Sequence, residues 1–189
     1  MKGSLRREVL VKALVDRNEA VRRSAAEALE QFEAKLALPG LIESWQQGDK
    51  VTRISIVYAL TRIYDDRADA LLLQSLEDPT EDVRAAALRA LQDRPGVDYA
   101  GPLMKRLGDD SKVIRCLAIE TLGSLRCRRA AEHLLPLLGH PDLEVVQRTV
   151  VALGRMRDNR AEIPLLTLAD VEDGYTRSLV ITALGELDL

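Results

Sequence analysis

Two cysteines and two histidines fall close together in this chain: Cys116, Cys127, His133 and His140. Thiolate and imidazole are the common ligands of zinc, and either can serve as nucleophile or base, so this cluster is the first place to look for chemistry. Its spacing, Cys-x10-Cys-x5-His-x6-His, fits no zinc pattern, because structural sites draw paired ligands from a few residues apart. His140-Pro141 reads as a turn and Glu132-His133 as an exposed helix edge. A nucleophile–base–acid set would have to use one of these two histidines. No Gly-rich phosphate loop or dinucleotide fingerprint occurs. The sequence therefore predicts no metal, no cofactor and no catalytic residue, and a protein that is not an enzyme.

Arginines form the strongest polar pattern. Arg22, Arg53, Arg84, Arg115 and Arg177 occupy one column of a 31-residue period, interrupted only at Val146. Arg148 lies two residues from that gap. Asp49, Asp78, Asp109 and Asp173 stand in nearby acidic turns, and a guanidinium's planar fork suits a carboxylate. Since the column keeps the period of the whole chain, it predicts a hydrogen-bond ladder that ties repeats together rather than a ligand site.

The elements that carry this column are legible in the apolar residues. Leu29, Leu60, Leu91, Leu122, Leu153 and Leu184 recur every 31 residues, each after a small residue: Ala28, Ala59, Ala90, Thr121, Ala152 and Ala183. A second column is Leu10, Leu41, Leu72, Leu103, Leu134 and Leu165, and a third holds Trp45 between Leu14 and Leu76. Within a unit these positions follow the i, i+3/i+4, i+7 spacing of helical faces. Each unit thus predicts two helices, A (about residues 5–15) and B (about 19–32), with a polar turn between them whose Asp, Asn, Ser or Thr caps helix B. Gly123, Gly154 and Gly185 follow the signature leucine and predict close helix contact. In the third unit Arg94 replaces the last apolar residue and Pro95-Gly96 follow, so its helix B is expected to end early, with a local bend. An unbroken period of this length means a solenoid of stacked units.

The stretch Asp82-Val83-Arg84-Ala85-Ala86-Ala87-Leu88-Arg89-Ala90-Leu91, and Lys112-Val113-Ile114-Arg115 leading to Thr121-Leu122-Gly123, resemble the short HEAT-like repeats also found in phycobilin lyase subunits. The resemblance implies an all-α, right-handed α-α superhelix, a HEAT/armadillo-like solenoid of six helix pairs. It reads as one domain, residues 1–189, with units at about 4–33, 34–64, 65–95, 96–126, 127–157 and 158–189. In the family, matching Asp and Arg residues form the inter-repeat ladder, and the B helices line the concave side. That places Val51, Ile54, Tyr58, Arg89, Cys116, Leu117, Glu120, Arg148, Val151, Tyr175 and Leu179 on the inner face as candidate partner-binding residues, with Ala85 and Ala86 beside them. The face is more apolar than a solvated one, which marks partner sites, and Tyr58 and Tyr175 are rigid amphipathic anchors. One HEAT-like enzyme, deoxyhypusine hydroxylase, binds iron through His-Glu pairs; this chain has no His-Glu dipeptide. HEAT-like DNA glycosylases use several aromatics on a basic face, whereas the single Trp here, Trp45, stands in a core column.

Composition narrows the partners. With 27 basic and 30 acidic residues the formal charge is −3, so no overall field draws nucleic acid or acidic lipid. No apolar run approaches a membrane span, and the first residues carry no signal-peptide core. Two cysteines beside an extensive core predict a reducing, cytoplasmic setting. Arg126, Arg128, Arg129, Arg155, Arg157 and Arg160 could grip phosphates along one edge, but Glu132, Asp158 and Glu162 interleave and no aromatic stands among them. Apolar stripes continue to both ends, as expected of a piece of a longer array or of ends that self-associate. The function expected is a non-catalytic scaffold that binds another protein. The alternatives are a lyase-like or chaperone subunit assisting chromophore attachment and, third, a phosphate-backbone binder at the Arg126–Arg160 edge.

Overall fold

The computed structural model describes residues 2–92, 94 and 98–188, which are helical almost throughout, with no strand among them. The chain forms two compact units, Met1–Ser75 and Leu76–Leu189, divided inside the third repeat rather than at a repeat boundary. The first holds α1 (Lys2–Ala13), α2 (Glu19–Gln47), α3 (Lys50–Leu60) and α4 (Asp66–Ser75). The second holds α5 (Glu81–Gln92), α6 (Ala100–Arg106), α7 (Lys112–Ser124), α8 (Ala131–Leu134), α9 (Leu143–Met156), α10 (Glu162–Thr167) and α11 (Gly174–Glu186). Among the described residues the six expected helix pairs give eleven α-helices, because two are fused.

The fusion is α2. Helix B of the first repeat and helix A of the second were expected to be separate, yet they run on through 29 residues. The connection Glu33-Ala34-Lys35-Leu36-Ala37-Leu38 contains no Gly or Asn to close a helix, and strong helix formers fill it. Pro39 lies inside α2, where its missing N–H leaves the Lys35 carbonyl without a helical donor. In the later A helices proline falls elsewhere. Pro102 and Pro164 are the third residues of α6 and α10, where first-turn N–H groups have no helical acceptor anyway. Pro136 ends α8 in a 3-10 turn, Leu135–Gly139.

The B helices begin as the turns predict. Asn18, Asp49, Ser111, Asp142 and Asp173 each accept a hydrogen bond from a backbone N–H in the first turn of α2, α3, α7, α9 and α11. α5 is described through Gln92; Asp93, where an early end would show, lies outside the described residues. Arg94, in the apolar column, is buried; Pro95-Gly96 lie outside the described residues. Two helix exits, Arg126 and Arg157, have φ of 50° and 52°, a left-handed conformation that glycine adopts more cheaply.

Stacking positions the rest. In the second unit α7 lies between α5 and α9, and α9 packs on α11. Leu91, Leu122 and Leu153 are fully buried in that seam, as Leu60 is in the first unit. Gly123 and Gly154 meet Ala152 and Ala183 of the next helix B. At the same register in the preceding repeat, Gln92 Nε2 donates to Thr121 Oγ1 at 2.8 Å. The small column thus lets B helices touch.

Candidate partner-binding groove

In the second unit the B helices α7, α9 and α11 present one face whose side chains alternate between apolar and charged. α9 and α11 frame a groove of about 560 Å³, lined by Glu120, Gln147, Arg148, Val151, Tyr175 and Leu179 among others. A smaller hollow of about 160 Å³ between α7 and α9 shares Glu120, Glu144 and Arg148 with it and adds Cys116 and Leu117. The structure therefore brings together seven of the eleven residues expected on this face: Cys116, Leu117, Glu120, Arg148, Val151, Tyr175 and Leu179. Tyr175 is 64% exposed.

The remaining four lie elsewhere. Arg89 is exposed on α5 and lines neither hollow. Val51, Ile54 and Tyr58 share a face of α3 in the first unit, Val51 and Tyr58 exposed and Ile54 half-buried. Ala85 and Ala86, expected on the open face, are buried, because a small side chain lets the neighbouring helix close over it. Cys116 is buried as well, though its helix borders the hollow. Burial, aided by the nearby Glu144 charge, pushes its thiol above the usual cysteine range, which keeps it protonated and a poor nucleophile.

The groove carries its own ion-pair chain, which sequence reasoning missed. Lys112 Nζ stands 2.8 Å from Glu144 and 2.9 Å from Asp142. Arg148 bridges Glu144, at 3.1 Å, and Glu120. Hydrogen bonds to Glu144 and Asp142 hold the Lys112 ammonium well above the ordinary lysine range. The same bond from Lys112 outweighs desolvation at Asp142 and holds that carboxyl low. Only the Glu144–Arg148 pair, at helical i,i+4 spacing, was visible as a pair in the sequence.

Four arginines of the column share one geometry. Nη1 of Arg22, Arg84, Arg115 and Arg177 donates to the carbonyls six and five residues earlier, at 2.7–3.2 Å, bracing the turn between helices A and B. Arg53 sits over the Trp45 ring, 5.5 Å from its centroid, a cation–π contact. Several of the turn carboxylates cap or brace their own turn. Asp49 and Asp173 cap α3 and α11, and Asp78 Oδ1 accepts from the Thr80 N–H. Short carboxylates find the adjacent N–H groups first. Asp109 Oδ1 also accepts from Arg84 Nη2 of the preceding repeat at 2.8 Å, both groups buried. Burial raises the Asp109 carboxyl, but the bonds from Arg84 and the Ser111 N–H outweigh it and leave it low.

Four arginines of the basic edge are internally engaged. Arg160 bonds Asp158 at 2.6 Å and the Arg128 carbonyl at 2.7 Å; Arg128 pairs with Asp188 and Arg129 with Asp98. Arg155 reaches Ser124 at 3.3 Å and borders the groove. His140 Nδ1 accepts from the Asp142 N–H at 3.0 Å, a turn contact. Among the described residues no three His, Cys, Asp or Glu side chains gather as a metal site would require, and no helix is long and apolar enough to cross a membrane.

The sequence model for HEAT repeats matches residues 7–92 and 100–185. The chain belongs to the HEAT-repeat family. Among solved structures, a designed armadillo repeat protein in complex with the peptide (KR)4 is similar at 15% identity and a TM-score of 0.59, over 95% of this chain and 98% of that one. YibA of E. coli is similar at 24% identity and a TM-score of 0.59, over 97% and 69% of the two chains. Both likenesses show the fold. The CpcE–CpcF complex of phycocyanin lyase from Nostoc shares 21% identity over 98% of this chain and 83% of that one, at a TM-score of 0.40, too distant to carry an argument. No curated protein matches by sequence.

Proposed function

We propose that this HEAT-repeat chain is a non-catalytic scaffold that holds a segment of another protein against the B helices α7, α9 and α11. The observation that carries the reading is the convergence of Leu117, Val151, Tyr175 and Leu179 on two adjoining hollows that share Glu120, Glu144 and Arg148. Tyr175 supplies the anchor, since an exposed ring at a groove wall loses little entropy on binding. Lys112 and Arg148 are already paired with Asp142, Glu144 and Glu120, so neither cation waits for an acidic partner. An occupant with an apolar side chain for the 560 Å³ hollow and polar flanks for the ion-pair chain suits it best. Held on stacked helices, the site is ordered before the partner arrives, which lowers the cost of binding.

The test is selection of peptides from a random library on the wild-type chain, followed by affinity measurement on Tyr175→Ala and Val151→Asp. Loss of binding by about 10–100-fold is expected from truncating one anchor. Peptides that bind both variants as tightly as wild type would place the binding surface elsewhere.

A further inference from the structure

We propose that the two end faces of the chain are complementary, and that copies associate head to tail, the face of α11 in one receiving the α1–α2 face of the next. This is independent of the groove reading and uses different residues.

Burial along the repeat columns motivates it. Leu60, Leu91, Leu122 and Leu153 are fully buried, whereas Leu29 and Leu184, in the first and last repeats, are half-buried. Val21 is 40% exposed where its column partners Val83, Ile114 and Val145 are fully buried. On the first repeat an open trough of about 460 Å³ is lined by Val9, Leu10, Ala13, Val21 and Ala28 among others. On the last, Leu166 and Ile181 are 52% and 61% exposed. Unpartnered apolar faces of this kind mark association sites.

Two register matches identify the occupant as a second copy. First, Gly123 receives Ala152, and Gly154 receives Ala183, at 2.7–2.8 Å from the place a Cβ would take. Gly185 is the same socket on α11, with nothing within 4 Å. The column of Ala152 and Ala183 begins at Ala28, which is exposed beside the trough. Second, Arg84 Nη2 reaches Asp109 of the following repeat. Arg177 is the last member of the Arg84 column; its Nη1 bonds the Val171 and Glu172 carbonyls, and the side chain is exposed. Asp16 is the first member of the Asp109 column. Its Oδ1 accepts from the Asn18 N–H at 2.8 Å, as Asp109 Oδ1 accepts from the Ser111 N–H at 3.0 Å. The joint therefore pairs Gly185 with Ala28 and Arg177 with Asp16. Arg17 occupies the Asp110 column, so one carboxylate serves this joint where two serve Arg84. The contact joins different surfaces, a heterologous interface.

Sedimentation velocity over a wide concentration range tests it. The wild-type mass is expected to climb above that of one chain with concentration. Gly185→Trp and Ala28→Trp, each at an exposed position, should stay single chains with unchanged helical circular dichroism. Their equimolar mixture should form a one-to-one pair and nothing larger, since each variant keeps one good face. Asp16→Lys should weaken association at least tenfold, and adding Arg177→Glu to the same chain should restore it. A wild type that stays a single chain at the highest concentration, or a mixture that fails to pair, would overturn the proposal. So would association of either tryptophan variant at the wild-type level.

Discussion

Gly123 and Ala152 meet backbone to backbone across the α7–α9 seam: a Cβ on Gly123 would lie 2.7 Å from the Ala152 Cα and 2.8 Å from its Cβ. No real Cβ tolerates that distance from a main-chain atom, so the helices must separate if one is added. Gly123→Ala is expected to destabilise by about 1–3 kcal/mol despite its gain in helix propensity. Gly40→Ala is the contrast. Gly40 is exposed within α2 with nothing within 4 Å, and the change should stabilise by about 0.5–1 kcal/mol. Urea unfolding of both variants checks the opposite signs.

Arg126 and Arg157 close α7 and α9 at φ of 50° and 52°. A side chain in that conformation costs roughly 1 kcal/mol relative to glycine. Arg157→Gly should therefore raise the unfolding free energy by about 0.5–1 kcal/mol, although it also loosens the unfolded chain. A fall in the urea midpoint would show that the arginine side chain contributes more than the strain costs.

Arg84 and Asp109 form the buried link between the third and fourth repeats. Asp109→Asn leaves a buried guanidinium short of its counter-charge and should cost about 3 kcal/mol. The native Asp109 carboxyl is held below its ordinary value, as is that of Asp158 beside Arg160. A depressed acid contributes its full stability above the unfolded carboxylate value of about 4 and loses it as pH falls through the native value. Wild type should thus lose stability below about pH 4, and Asp109→Asn should lose less over the same interval. Equal losses in a pair of urea titrations at pH 7 and pH 3 would assign the acid sensitivity to other groups.

Leu91 is fully buried and Leu184 half-buried in the same column. Leu91→Ala should cost about 2–5 kcal/mol through lost transfer energy and a residual cavity. Leu184→Ala should cost well under that at a concentration where chains are single. Calorimetry on the two proteins measures the difference directly.

The 31-residue period alone determined the helix pairs, the core leucines and the caps of most B helices, because periodic burial and capping are local properties that sequence spacing expresses. Seven of the eleven residues that the family resemblance put on the inner face line the two hollows. Tertiary structure decided the rest. The fusion through α2 depends on a connection without a helix stop, and Pro39 alone did not interrupt it. Asp49 and Asp173 cap helices because the nearest N–H groups lie in their own turn, whereas Asp109 also reaches the arginine of the preceding repeat. Whether Gly123, Gly154 or Gly185 is filled, and which charges close on Lys112 and Arg148, depends on the contact between helices, and spacing along a single chain does not contain that distance.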